Sequence, residues 1–234
     1  MNNAKIIAVT QPLIVKTKSS FPQYEPDVKM DVDEFIAYVA RVSNPSNQNN
    51  TLTASKLLRY LAKHKHWSPF ELVNVVMEIN TTRDIARQIL RHRSFSFQEF
   101  SQRYADPTQD LGFVIREARL QDMKNRQNSI ETDDEDLGMD WDSLQEEVKH
   151  VTNRAYKWAI ENGIAKEQAR AVLPEGLTVS RMYMNGTLRS WIHYCQLRMG
   201  PETQKEHREV ATDAWYQITE VFPSLKDCLD IGEK

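Results

Sequence analysis

Within residues 81–106 five arginines (Arg83, Arg87, Arg91, Arg93 and Arg103) stand without a single lysine, among Gln88, His92, Ser96, Glu99 and Ser101. The bias is toward guanidinium, not merely toward positive charge. A guanidinium is planar, stays ionised when buried, and makes paired contacts to phosphate or to a planar heterocycle, which an ammonium does less well. Arg83, Arg87 and Arg91 recur every four residues, so on a helix they share one face. Two readings are open. The segment is either a solvated basic face balanced by the acidic run Asp133-Asp134-Glu135-Asp136, or a pocket for an anionic or planar ligand to which the interspersed serines and glutamine add hydrogen bonds. Phe95, Phe97, Phe100 and Tyr104 pose a parallel choice between stacking on single-stranded bases and packing in a core.

Other chemistries are limited by what the chain lacks. Its seven glycines form neither G-x-G-x-x-G nor G-x-x-x-x-G-K-[ST], so an anion would be held by side chains and helix N-termini and not by a glycine-rich loop. His64-x-His66 has no third ligand at a telling spacing, and no metal site is expected. The two cysteines, Cys195 and Cys228, are too few for a disulfide framework and lack C-x-x-C spacing. Cys195 lies two residues from His193, a separation that does not make helical side chains face each other, so it is expected to be a packing residue.

The elements that position these residues are legible from periodicity. Residues 5–18 are rich in β-branched side chains and predict a strand or hairpin, closed by a polar loop at residues 19–22. Residues 31–43 and 55–64 carry apolar residues at helical spacing, on either side of a polar linker at 44–50. After Pro69, Val73, Val75, Met77 and Ile79 alternate as the apolar face of a strand. Thr82, with Asp84 in the first turn, opens a helix that carries Ile85, Ala86, Ile89 and Leu90 into Arg91-His92-Arg93. The polar stretch 122–142 is expected to be a mobile acidic loop. A capping box at Ser143 and Glu146 predicts a helix that stops at Gly163. A helix over 165–173, a β-compatible run over 178–184, an Asn185-Gly186 turn, a helix over 187–199 and a last helix opened by Pro201 complete the chain. Early strands and late helices without βαβ alternation imply an α+β fold, mostly antiparallel sheet with flanking helices, in a single domain over 1–234.

Thirty Lys and Arg against 33 Asp and Glu leave a formal charge of −3, which does not favour a sequence-independent grip on nucleic acid. No long apolar run or signal-type N-terminus is present, and two cysteines suit a reducing compartment, so a cytoplasmic protein (host cytoplasm if viral) with no membrane partner is expected.

Arg91-His92-Arg93, seven residues and then Ser101 reproduce the R-H-R-x7-S signature, and with Arg87-Gln88 and Gln102-Arg103-Tyr104 the segment resembles the flavin-dependent thymidylate synthases. Further islands are similar to that family: Ala40-Arg41-Val42-Ser43, the stretch from His64 through His66, Trp67 and Ser68 to Glu71, Ala169-Arg170 to Leu173-Pro174, Leu188-Arg189-Ser190 and Leu197-Arg198. The resemblance covers roughly residues 40–200 and implies a homotetramer whose active sites lie at subunit interfaces. It implies an FAD-dependent methyltransferase of nucleotide biosynthesis. The reaction would be reductive methylation of dUMP to dTMP, with methylenetetrahydrofolate as carbon donor and NADPH as reductant. Family roles carried to matching positions put Gln88, Arg91, Glu99, Ser101, Gln102, Arg103, Arg170 and Arg198 around dUMP. They put Ser43, His66, Ser68, Arg91, His92, Arg93, Ser94, Glu99, Arg189 and His193 around FAD. Arg198 is the catalytic candidate, because charge developing on the uracil ring calls for a guanidinium facing it. Ser101 is read as a binding hydroxyl, since no base stands within obvious reach of it. Neither cysteine falls where the family's motifs lie. Thr187, and not Asn185, falls where an asparagine often meets the flavin, and His193 stands where some members have asparagine.

Overall fold

The computed structural model describes residues 3–16 and 28–229, so the loop expected at 19–22 lies outside the described residues. In chain order the elements are β1 (Asn3–Val9), β2 (Val15–Lys16), β3 (Val28–Lys29), α1 (Val32–Ala40), α2 (Ala54–Lys63), β4 (Asn74–Thr82), α3 (Arg83–Ile89) and β5 (Phe95–Glu99). There follow α4 (Pro107–Asp110), β6 (Arg119–Gln121), β7 (Ser129–Glu131), α5 (Glu135–Glu161), α6 (Lys166–Ala169), β8 (Val179–Thr187), α7 (Leu188–Arg198) and α8 (Lys205–Val221). Strands β1, β4, β8 and β5 pair in that order, every neighbour antiparallel, while β2–β3 and β6–β7 form two small ribbons. Mixed helix and antiparallel sheet is the architecture that the order of elements implied.

The alternation read from the sequence holds in β4, where Val75, Met77 and Ile79 are fully buried. With Met182 and Met184 of β8 they form a floor on which Trp191 and Ile192 of α7 and Val210, Ala214 and Ile218 of α8 pack. Burying Trp191 requires a partner for its ring N–H, and the Val75 carbonyl accepts it at 3.0 Å. Helix α1 begins in a capping box: Asp31 accepts from the Glu34 amide at 2.7 Å, and Glu34 accepts from the Asp31 amide at 3.0 Å.

Four expectations are corrected. Residues 122–142 are not a structureless loop: they contain the second strand of the β6–β7 ribbon and the first turns of α5. Asp134 caps that helix by accepting from the Leu137 amide at 3.0 Å. The acidic run therefore lies at a helix N-terminus, where negative charge is favoured, and the Ser143 box is interior to a helix that started two turns earlier. Asn185-Gly186 is no turn but part of β8, paired with Ser96 and Phe95. The Phe95 ring lies against Gly186 so closely that a Cβ there would stand 2.4 Å from Cδ1, so the glycine serves close packing and not chain reversal. The helix expected over 165–173 breaks into α6 and a 3₁₀ turn, Arg170–Val172. Finally, Pro201 sits in the turn before α8, which begins only at Lys205.

Candidate active site

Helix α3 stops at Ile89, after which the chain turns, with the His92 amide bonded to the Ile89 carbonyl at 3.0 Å, and enters β5. The shared face expected for Arg83, Arg87 and Arg91 is therefore cut short. Arg83 is buried and reaches Glu99 at 3.4 Å; Arg87 is 3.7 Å from Glu99 and 3.6 Å from Glu175. Glu99 also accepts from the Ser180 hydroxyl at 2.9 Å. Burial lowers the pKa of Arg83, with Glu99 opposing the shift. Below this corner Asp84 is held by Arg116 at 2.7 Å and by the Thr82 hydroxyl at 2.6 Å. Arg91, Arg93 and Ser94 are exposed in the turn, and neither arginine has an ion-pair partner among the described residues. The acidic run does not neutralise the arginine segment; Glu131, just before it, pairs instead with Lys205 at 2.7 Å.

Arg198, at the last residue of α7, is half-buried and also has no carboxylate partner among the described residues. Its Nε donates to His92 Nε2 at 3.0 Å. To accept this bond His92 must be neutral, and burial, followed by the positive charge of Arg198, pushes its pKa down to about 4. His92 stands edge-on to Tyr194, ring centroids 5.0 Å apart. Behind them His207 of α8 is fully buried, within hydrogen-bond distance of Gln88 (3.2 Å) and of the Tyr194 hydroxyl (3.1 Å). Its pKa is pushed down to about 3 by burial first, then by Arg198 and His92.

The two neutral histidines, His92 half-buried and His207 fully buried, set an acid dependence. In the unfolded chain each takes a proton below pH 6.5, while in the fold neither does until about 4 or 3. Stability should therefore be full above pH 6.5 and fall as pH drops toward 4. Between pH 7.5 and 5.5, above the carboxylate range, unfolding free energy should decline by about 2 kcal/mol, measured from urea midpoints. An unchanged midpoint over that interval would mean the histidines are not held neutral.

The other sequence candidates fall into separate patches. His66 and Ser68 are exposed beside Trp67, whose ring meets His193 edge-on at 5.1 Å, and Arg189 pairs with Glu71, so this turn and α7 form one surface. A cleft of about 770 Å³ lined by Arg59, Lys63, Lys65, Trp67, His193 and Gln196 adjoins it. Burial lowers the pKa of His193. Arg103 is 3.5 Å from Glu167, and Arg170 donates to the Glu167 carbonyl at 3.2 Å, which brings those two arginines together. Ser101 lies in the same loop, its hydroxyl accepting from the Arg103 amide at 3.4 Å. Gln102 is buried, and neither its side-chain nitrogen nor the buried side-chain oxygen of Asn185 has a hydrogen-bond partner among the described residues. Ser43 is exposed in the turn after α1, which Arg41 braces through the Asn50 carbonyl and the Thr53 hydroxyl at 2.7 Å. Thr187 is the N-cap of α7, accepting from the Ser190 amide at 3.2 Å.

Sequence reasoning missed His207, Tyr194 and the hydrogen-bonded group behind Gln88. The available signal was His207 itself, a polar residue in register with the apolar stripe Val210, Ala214 and Ile218. The aromatic segment resolves toward packing: Phe95 is buried against Trp191 at 4.9 Å and Phe97 and Phe100 are half-buried, leaving Tyr104 exposed. Cys195 is fully buried, and its pKa is raised by that burial.

Residues 27–224 match the family model described as thymidylate synthase complementing protein. The chain is 45% identical over 228 residues, 97% of its length and 99% of the relative's, to a probable flavin-dependent thymidylate synthase of Paramecium bursaria Chlorella virus 1. It is 44% identical over the same shares to a flavin-dependent thymidylate synthase of Synechocystis. Among solved structures, a UMP/dUMP methylase of Streptomyces cacaoi bound with 5-Br UMP superposes with a TM-score of 0.74 at 21% identity. It covers 97% of this chain and 93% of its own, a likeness of fold. No helix among the described residues is long and apolar enough to cross a membrane.

Proposed function

The chain belongs to the flavin-dependent thymidylate synthase family, and from that premise we propose that it converts dUMP to dTMP, taking the carbon from methylenetetrahydrofolate and the reducing equivalents from NADPH. The observation that carries this reading is Arg198, a half-buried guanidinium with no carboxylate partner among the described residues, facing a neutral histidine. Most cations in such a place are paired, and one left free is suited to an anion that arrives with the substrate.

Attack by C5 of uracil on an incoming carbon requires negative charge to be stabilised at the ring oxygens and N3. Arg198 supplies a fixed positive charge for that, and His92 holds its guanidinium by accepting from Nε. Arg91, Arg103 and Arg170 suit the nucleotide phosphate, with Gln88, Glu99, Ser101 and Gln102 adding hydrogen-bonding groups. Gln102, whose buried side-chain nitrogen has no partner among the described residues, is suited to a substrate acceptor. Among the described residues the Ser101 hydroxyl meets no general base, only the Arg103 amide, and it serves binding. Neither thiol suits a nucleophilic role: burial raises the pKa of Cys195, and burial followed by Asp227 pushes Cys228 up to about 12.

The donor set also fits FAD. Arg93 and Arg189 match a pyrophosphate, and Ser43, His66, Ser68, Arg91, His92, Ser94, Glu99 and His193 offer hydrogen bonds to ribose and ring edges. When bound, FAD supplies the hydride. No glycine-rich cradle is needed, because side chains provide the contacts.

We further propose a homotetramer with shared active sites, in the cytoplasm. On α5, Leu137, Trp141, Leu144, Val148 and Val151 recur at alternating spacings of four and three, and are 40%, 43%, 57%, 46% and 47% exposed. That heptad seam is suited to a helix of another subunit. Ser43, the His66–Arg189 surface and the Arg103–Arg170 patch share no hydrogen bond or ion pair among the described residues, which suits a site assembled from several subunits.

Purified protein given FAD, NADPH, methylenetetrahydrofolate and dUMP is expected to form dTMP, and to stop when NADPH or the folate is omitted. Formation of dTMP by flavin-free protein would overturn the reading.

A further inference from the structure

Behind the proposed nucleotide site a line of hydrogen bonds has only one self-consistent direction. It starts at Arg119 of β6, whose guanidinium can only donate and bonds to Oε1 of Glu206. The Glu206 carboxylate can only accept, so Gln204 must turn its Nε2 toward Oε2, 3.0 Å away. Oε1 of Gln204 then faces Gln88, which has to present Nε2 at 2.9 Å. That leaves Oε1 of Gln88 as the atom 3.2 Å from His207 Nδ1, and two acceptors cannot share that contact, so Nδ1 carries the proton. Neutral His207 consequently has a bare Nε2, which accepts from the Tyr194 hydroxyl at 3.1 Å. His207 is 0% exposed and Tyr194 1%, so water cannot substitute for either bond.

We propose that His207 is a positioning residue for dUMP binding. It pins Oε1 of Gln88 while Gln204 pins Nε2, so the amide meets the nucleotide in one orientation instead of two. An amide free to flip would present a donor where the nucleotide needs an acceptor, or the reverse, in a share of molecules. The inference rests on the placement of Gln88 at dUMP given above. Tyr194, by donating to Nε2, fixes the histidine tautomer and at the same time lies edge-on to His92, so the buried His207–Tyr194 pair supports Gln88 on one side and the partner of Arg198 on the other.

Two substitutions of similar size separate positioning from bulk packing. In H207N the side-chain nitrogen can occupy the place of Nδ1 and keep the donor to Gln88. In H207Q the polar end reaches the place of Nε2, and the donor to Gln88 is lost. Both remove the buried ring. With FAD-loaded protein, titrated with dUMP and followed by flavin absorbance and by calorimetry, H207Q is expected to bind dUMP about tenfold more weakly, raising KM for dUMP more than it lowers kcat. H207N is expected to recover most of that affinity. Q204A, at a half-buried position ahead of α8 where no buried ring is removed, should also weaken dUMP severalfold, and it carries the test if H207Q does not fold. Equal losses in H207Q and H207N, or Q204A protein with unchanged affinity, would overturn the inference. Wild-type protein that takes no dUMP would instead overturn the proposed function on which it rests.

Discussion

Arg198→Ala protein is expected to fold, to take up FAD, and to form dTMP at a rate lower by about 10² to 10³, the loss that follows removal of one preorganised group facing a developing charge. The expectation follows from the company Arg198 keeps. Its Nε is committed to His92, a neutral acceptor, and no carboxylate neutralises it among the described residues. The guanidinium thus contributes little to holding the fold together, in contrast to Arg83 and Arg116, which are tied to Glu99 and Asp84. Removing it leaves a half-buried His92 whose acceptor then faces space that water can fill, so the thermal midpoint should change little. kcat for dTMP, flavin content from visible absorbance and the melting temperature together separate the cases. Wild-type turnover in Arg198→Ala protein would remove the residue from the chemistry. Loss of flavin together with loss of activity would make it a cofactor ligand only.

The second large effect is expected from charge placed in the α5 seam. Leu144→Asp combined with Val148→Asp puts two carboxylates at adjacent seam positions of a helix whose inward face, carried by Gln145, Thr152, Tyr156 and Ala159, is untouched. Burying such side chains is worth roughly 1.5–3 kcal/mol each, and burying an unpaired carboxylate in their place costs more. The proposed tetramer should fall to a smaller species by sedimentation, with the far-ultraviolet circular dichroism retained. If the site draws residues from several subunits, dTMP formation should drop at least a hundredfold in the same protein. A tetramer of unchanged mass would show that the seam faces something else, and full activity in the dissociated protein would show that one chain carries a complete site.

What the sequence could and could not convey follows from the range of the interactions involved. The alternation of Val75, Met77 and Ile79 identified a strand because one face alone is buried, a local pattern. Asn185-Gly186 misled for the converse reason: the dipeptide carries turn chemistry, but its glycine answers to Phe95, ninety-one positions away in the chain and adjacent in the sheet. The acidic stretch likewise has the composition of a loop, yet acids ahead of a helix are also helix-starting residues, and composition does not distinguish the two. At the site, the arginine bias and the R-H-R-x7-S spacing picked out Arg91, His92 and Arg93. They could not show that α3 ends at Ile89 and divides the arginines into a paired corner and a free turn. His207, Gln204 and Glu206 carry no motif, and their relation to Gln88 exists only once α8 packs beside α3.

The central claim, that one site takes both flavin and dUMP, is tested most directly by the visible absorption spectrum of the FAD-loaded protein before and after dUMP is added. An oxidised-flavin spectrum that shifts on addition of dUMP, saturably and not with an unrelated nucleoside monophosphate, is the expected result. A protein that binds no flavin, or a flavin spectrum indifferent to dUMP at saturating concentration, would contradict it.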